Sequence, residues 1–226
     1  MQAPLASSCY EIAIMQLKDI KRLYRLYMNG IVSHSMRQKG AGYRVNFGLT
    51  MPLLRRIAEQ IPPSVEIAEA LWGDTGVRES MLLAPMVYPH EQCDATVVAR
   101  WVEQIPTVEV ADFCCKYLFA HLNGAAAWAQ EWVGSEHELV AYTGFRLACS
   151  QVAQVSDVAW LLQVAQCAID RAAHGEGIAA HSAGSFLTEA LLLQEQGKVV
   201  VEALSQAQHI DEAWRKQLAS LYEEME

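Results

Sequence analysis

Cations, glycines and an aromatic residue lie together in one segment near the N-terminal end, SHSMRQKGAGYRVNFG. The cations are Arg37, Lys39 and Arg44, the glycines are Gly40 and Gly42, and the aromatic residue is Tyr43. Arginine and lysine bind phosphate oxygens, and a glycine-rich backbone lets such side chains follow a phosphate path. Tyr43 is suited to packing against a sugar or a base. The segment favours contact with DNA, and a flexible solvated loop is the alternative interpretation.

The distribution of charge agrees with a polyanion-binding end. The whole chain has a formal net charge of -9, but residues 1–56 hold nine of the 17 Lys and Arg and carry a net charge of +7, whereas the remainder carries -16. An acidic protein is a poor general binder of nucleic acid, because phosphates are bound by Lys and Arg. The asymmetry nevertheless favours a basic end on an acidic body, and a solvated basic helix face explains the charge equally well.

The sequence does not indicate metal or nucleophile chemistry. No two cysteines form a C-x-x-C pair with histidines downstream, and most of them fall at apolar helix positions. The seven histidines are scattered without an i, i+4 pair on one helix. We therefore expect reduced cysteines, no metal and no cofactor. The cysteines are Cys9, Cys93, Cys114, Cys115, Cys149 and Cys167.

Apolar residues recur at three- and four-residue spacing nearly throughout, which predicts an all-α protein. The first helix is predicted from Ile12 to a stop near Asn29-Gly30, followed by a basic loop, and the next begins at Thr50 with Pro52 in its first turn. We expect one domain, 1–226, with the first helix and the loop in 1–50 and helical repeats over 51–226. The further predicted helices are 64–72, 77–87, 90–104, 107–120, 123–134, 136–153, 156–173, 177–195 and 199–225, the last broken near His209.

An internal repeat favours a solenoid, a superhelix of HEAT-like antiparallel helical repeats. The segment EQIPPSVEIAE, from Glu59, returns as EQIPTVEVAD, from Glu103, at an offset of 43 to 44 residues. That period is typical of HEAT and armadillo units, which bury their apolar faces by stacking on one another. A simple helical bundle is the competing architecture.

The cellular context is an expectation only. Charges, Gly or Pro interrupt the apolar stretches before they reach the roughly 18 to 20 residues that a membrane span needs. The N-terminal segment MQAPLASSCYE has no basic region before an apolar core, as a secretory signal would. We expect a cytoplasmic protein without a membrane partner.

Several segments, in order, resemble those of the DNA alkylation repair (AlkD-like) family of HEAT-like-repeat DNA glycosylases. The resemblance covers roughly residues 20–195. It implies a superhelix that binds duplex DNA on a concave face and excises N3- or N7-alkylated purines, using a carboxylate to stabilise the developing sugar cation and to position a water. The segments are MNGIVSHSMRQKGAGYRVNFGLTMPLLRRIAEQ, AEALWGDTGVRESMLLAPMVYP, RWVEQIPTVEVADFCCKYLF and ELVAYTGFRLA.

The resemblance assigns roles residue by residue, and the match is uneven. Asp112 falls at the family's catalytic aspartate. The family's tryptophan of the same element falls at Val108, its arginine at Tyr142 and a second tryptophan at Ser185, beside Phe186. Three of four expected groups are thus replaced.

Tyr142 and Arg146 are one helical turn apart, so we expect them to share a face and to contact DNA. Core packing is the alternative for Tyr142, and a surface ion pair is the alternative for Arg146. For Asp112, the alternative is a carboxylate placed only to suit the dipole of its helix.

Three functions are compatible with these residues. The protein is a DNA glycosylase for alkylpurines, a relative that has lost catalysis and still binds duplex, damaged or branched DNA, or a HEAT-like scaffold for a protein partner. Salt-dependent DNA binding separates the third from the others.

Overall fold

The computed structural model describes residues 16–40, 42–173, 175, 177–207 and 210–223, and these residues form α-helices joined by short connections. The all-α prediction is confirmed. Within the described residues the helices are α1 (Leu17–Leu26), α2 (Gly30–Gln38), α3 (Met51–Ala58), α4 (Val65–Trp72), α5 (Arg78–Val87), α6 (Ala95–Gln104), α7 (Val108–Tyr117), α8 (Ala125–Trp132), α9 (Glu138–Gln151), α10 (Val158–Ala173), α11 (Ile178–Leu191), α12 (Gln194–Gln206) and α13 (Glu212–Glu223).

The helices form two layers. From α3 to α13, each odd-numbered helix packs against the next odd-numbered one, and we call this row the odd layer. A second layer contains α8, α10 and α12, with α10 between its neighbours. Sequential helices such as α8 and α9, or α10 and α11, pack on each other as hairpins that join the layers. This stacking confirms the solenoid of HEAT-like antiparallel repeats.

The internal repeat in the sequence is not the structural repeat. Helices α5, α7 and α9 begin at Arg78, Val108 and Glu138, so consecutive units of the odd layer are 30 residues apart there. One copy of the EQIP segment lies between α3 and α4, and the other spans the end of α6 and the connection to α7. The helices α4 and α7 that follow the two copies do not occupy equivalent places in the stack. What recurs at 43 to 44 residues is a turn that ends in a helix-capping residue. Ser64 and Thr107 each cap the following helix by accepting a backbone N–H.

The predicted basic loop begins with a helix, because residues 33–38 belong to α2. Asn29 and Gly30 indicate a helix end in the sequence, but the Asn29 side chain accepts the N–H groups of Ile31 and Val32 and so begins α2. Arg37 therefore lies in the last turn of a helix. From residue 42 to Thr50 the chain forms no helix, and α3 begins after Thr50 as predicted.

Gly144 brings α8 and α9 unusually close together. A Cβ at this position would lie 2.6 Å from the backbone nitrogen of Val133 and 2.8 Å from the carbonyl carbon of Trp132. The absence of a side chain at Gly144 is what permits this close approach. It fixes the position of α9, the helix that carries Tyr142 and Arg146.

The remaining sequence expectations concern single residues and the membrane. Cys93, Cys114, Cys115, Cys149 and Cys167 are free thiols. The start of the first predicted helix, Cys9 and His209 lie outside the described residues. Of the helices described, none is both long and apolar enough to cross a membrane. A group of three or more potential metal ligands does not occur among the described residues.

Candidate nucleic-acid interface

Asp112 is the centre of a polar cluster on the odd layer. Its Oδ1 accepts a hydrogen bond from the Tyr142 hydroxyl at 3.0 Å and from Arg146 Nε at 2.7 Å. Asp112 lies on α7, and its two partners lie one turn apart on the neighbouring α9. The structure therefore joins Asp112 to two residues that lie on a different segment of the sequence. The expectation that Tyr142 and Arg146 share a face is confirmed.

The two donors of the cluster, the Tyr142 hydroxyl and the Arg146 guanidinium, keep their protons at neutral pH. Burial raises the pKa of the Tyr142 phenol well above its usual range, and the charge and hydrogen bond of Asp112 raise it further. For Arg146, partial burial lowers the pKa, but the hydrogen bond and charge of Asp112 outweigh that effect, so the pKa is raised. Both groups thus donate to a carboxylate whose charge the guanidinium offsets. Arg146 and Asp112 are 38% and 39% exposed, so solvent reaches the pair.

An open cleft of about 400 Å³ adjoins this cluster, between α7, α9 and α11. Its thiols are poor nucleophiles, because burial, followed by the charge of Glu189, raises the pKa of Cys149 to about 12. Burial also raises the pKa of Cys115. The cleft is polar, with charges of both signs. Its lining includes Asp112, Lys116, His121, Arg146, Gln151 and Glu189.

The two positions at which the resemblance expects a tryptophan, Val108 and Ser185, carry no aromatic side chain. Val108 is 36% exposed at the start of α7, one turn before Asp112. Ser185 donates its hydroxyl to the carbonyl of His181. Phe186, the neighbour of Ser185, offers no aromatic surface in place of the second tryptophan, because it is fully buried and packs edge-on against Trp160. Its neighbours Ala183, Leu187 and Ala190 are buried too, a spacing that identifies the core face of α11.

An aromatic residue from another segment lies beside Val108. The Tyr43 hydroxyl hydrogen-bonds to the Oγ1 of Thr107 at 2.8 Å, and burial raises the pKa of Tyr43. Tyr43, Lys39 and Val108 line one small pocket together with Met36, Gly40, Arg78, Thr107 and Glu109. Two predicted DNA contacts, Lys39 and Tyr43, thus lie beside the N-terminal end of α7, one turn before Asp112.

The other two cations of that segment are not part of this pocket. Arg37 is exposed on α2. Arg44 is exposed as well and lies over Gly76 in the connection before α5, where a Cβ on the glycine would be 3.3 Å from Arg44 Nε. Asn46, which the sequence grouped with them, is buried, and its amide oxygen accepts the N–H of Gly48. Of the predicted DNA-contacting side chains of the segment, Lys39 and Tyr43 are the ones that line the pocket at α7.

Sequence reasoning missed a buried ion network beneath this surface. Arg78 is buried and donates to Glu79, which is fully buried, and through two bonds to Glu109 on α7. Arg78 also donates to the carbonyl of Leu49, while Glu79 accepts the N–H groups of Phe47 and Leu49. The network ties the non-helical segment between α2 and α3 to α5 and α7. Its sequence signal was a charged Arg-Glu pair at the start of a largely apolar helix.

Fold and site together define a helical-repeat protein with a half-exposed carboxylate–arginine–tyrosine cluster on one layer. A model of the family described as DNA alkylation repair enzyme matches residues 25–190. The match covers well over half of the sequence, and the chain belongs to this family.

A solved structure described as "a new family of proteins related to the HEAT-like repeat DNA glycosylases with affinity for branched DNA structures" has the same fold. The TM-score is 0.76 over 93% of this chain and 95% of that chain, at 15% sequence identity. At this identity the similarity concerns the fold alone. No curated protein is significantly similar to this chain in sequence.

Proposed function

We propose that this protein binds duplex or branched DNA through the exposed face of the odd layer, chiefly by contacts to phosphates, without the excision activity of the family's glycosylases. The observation that carries this proposal is the way Asp112 holds Arg146. The hydrogen bond uses only Nε, so among the described residues the two terminal amino groups of the guanidinium are left to bind a further acceptor. A guanidinium held in this way is suited to the fork-like recognition of a phosphate.

A second proposed contact lies on the other side of Asp112. Lys39 and Tyr43 line the pocket beside Val108, and Lys39 is exposed. A strand crossing α7 from this pocket to Arg146 passes Asp112 on the way. Arg37 and Arg44 are proposed as outer phosphate contacts, and Tyr142 as a contact that also keeps Asp112 in position.

The same geometry disfavours excision by this protein. A carboxylate that stabilises a sugar cation acts best when its charge is uncompensated, whereas Oδ1 of Asp112 is bound by both Arg146 and Tyr142. The aromatic group expected at position 108 is missing. A solved structure with this fold belongs to a family described as having affinity for branched DNA, which supports DNA binding by this chain.

The test is a salt titration of DNA affinity. We expect wild-type protein to bind a labelled duplex at low salt, with an affinity that falls steeply between about 50 and 200 mM salt because counterions are released. Arg146→Gln should weaken binding to any sequence and reduce the slope of log K against log salt by about 1. Absence of salt-dependent binding by the wild type would contradict the proposal and favour a protein scaffold.

Excision remains the second candidate, because the other oxygen of Asp112 accepts no hydrogen bond from the described residues and the carboxylate lines the open cleft. We expect no release of 7-methylguanine or 3-methyladenine from alkylated duplex DNA. Release by the wild type that is lost in Asp112→Asn would instead establish Asp112 as the glycosylase carboxylate.

A further inference from the structure

Two histidines from different connections stack on each other beside the Asp112 cleft. His90 lies in a turn of 3-10 helix between α5 and α6, and His121 in a similar turn between α7 and α8. Their ring centroids are 4.9 Å apart, and the ring planes differ by 7°. Nothing in the sequence predicted this pair, because the residues are 31 positions apart and belong to successive hairpins.

Hydrogen bonds to the end of α7 hold both rings rigidly. His90 Nε2 lies 2.9 Å from the carbonyl oxygen of Tyr117, and His121 Nε2 lies 3.0 Å from that of Lys116. A carbonyl oxygen only accepts, so both Nε2 atoms carry hydrogen and donate. The acceptors belong to the last turn of α7, where carbonyls lack helical partners. The imidazoles thus form a fixed platform with a defined tautomer.

A groove of about 440 Å³ opens at this platform. That volume lies in the range of roughly 300–1,000 Å³ that is usual for small-ligand sites. The groove is lined by His90, His121, Asn123 and Trp128, together with Glu91, Cys93, Leu122 and Gly124. Trp128 rests directly on Gly124, where a Cβ would be 2.5 Å from the indole ring.

His121 connects the groove with the proposed DNA-binding face. It is exposed, and it lines both this groove and the Asp112 cleft. Lys116, whose carbonyl oxygen holds His121, lines the same cleft and is exposed beside it. Cations suited to phosphates therefore lie on the cleft side, and flat rings with an amide lie on the groove side.

From this arrangement we propose that the groove at the histidine platform binds an unpaired base of DNA, stacked on His121, while Lys116 and Arg146 hold the flanking phosphates. Flat rings are the usual partners of bases that have left the helical stack, and Asn123 offers both a donor and an acceptor to a base edge. This inference rests on the proposed DNA binding. It adds a reason for a preference for branched or distorted DNA, in which such bases occur.

Three labelled DNAs of one sequence test the proposal: a plain duplex, the same duplex with one unpaired adenine, and the same bulge with an abasic site. We expect wild type to bind the adenine bulge about tenfold more tightly than the abasic bulge, as stacking on a protein ring provides. His121→Ala should abolish that preference by lowering the affinity for the adenine bulge to that for the abasic bulge. His121→Phe should retain most of the preference, because a flat ring remains.

The controls separate this inference from the proposed function. Gln166→Ala, an exposed substitution on α10 in the other layer, should behave as wild type. Duplex binding without preference for the adenine bulge overturns the platform and leaves the proposed function intact. Failure to bind any of the three DNAs overturns both. An equal loss for all three DNAs in His121→Ala, with an unchanged melting temperature, overturns base stacking, because a phosphate contact alone would explain it.

Discussion

Helix α7 offers two carboxylates to two arginines, and the two pairs differ in how deeply the arginine is buried, although the carboxylates are similarly exposed at 37% and 39%. Glu109 binds Arg78 of α5, and Asp112, one turn later, binds Arg146 of α9. The Arg78 side chain is 4% exposed and is bonded on every side, whereas Arg146 is 38% exposed and is bonded through one nitrogen. The same chemistry therefore stabilises the structure in one place and remains available to a ligand in the other.

Burial accounts for the difference. A buried charge that loses its partner is left without solvation, which costs several kcal/mol. An exposed ion pair contributes at most about 1 kcal/mol, because water competes for both groups. Removing Arg78 should therefore damage the fold, and removing Arg146 should damage only what the surface binds.

The largest expected effect comes from Arg78→Leu. The substitution leaves Glu79 fully buried without its guanidinium, and we expect the free energy of unfolding to fall by about 3–5 kcal/mol. Urea denaturation followed by circular dichroism measures the change. Arg146→Leu is the matched control and should cost less than about 1 kcal/mol. Equal losses in the two variants would contradict the assigned difference between the pairs.

A smaller effect is expected when α9 is displaced. Gly144→Ala places a Cβ against backbone atoms of α8, so the helices must separate, at a cost of about 1–3 kcal/mol. Because α9 carries Arg146 and not Arg78, the variant should also weaken DNA binding. Gly184→Ala is the control: its Cβ meets open space on α11, and replacing a helical glycine should stabilise the protein by about 0.5–1 kcal/mol. Thermal unfolding should therefore shift in opposite directions, and a melting temperature of Gly144→Ala equal to wild type would refute the close packing.

Local signals in the sequence were sufficient for most of the fold. Ser64 and Thr107 cap α4 and α7, and helical periodicity located nearly every later helix. The predictions from sequence were wrong where the same local pattern is compatible with two structures. Asn29-Gly30 resembles a helix end but begins α2, and the EQIP repeat reports similar turns rather than similar structural units.

The site was predictable only where residues lie on one helix. Tyr142 and Arg146 were expected on one face from their spacing alone. Their bond to Asp112, the Arg78 network and the histidine platform join residues about 30 positions apart, in successive hairpins. Such contacts depend on how the helices stack, which no short sequence pattern specifies.

The smallest expected effect concerns the exposed pair of Asp112 and Arg146. Asp112→Asn keeps an oxygen that accepts from Tyr142 and Arg146 but removes the negative charge beside the proposed phosphate contact. We expect stability to change by less than about 1 kcal/mol. Duplex affinity should rise up to about fivefold, since a unit charge about 4 Å away is worth roughly 1 kcal/mol in water.

Glu103→Gln, an exposed acid on α6, controls for net charge and should leave the affinity nearly unchanged. Fluorescence anisotropy at fixed salt measures both variants. Weaker binding by Asp112→Asn would mean that the carboxylate positions Arg146 through its charge, and an equal gain in both variants would mean that DNA senses only the total charge.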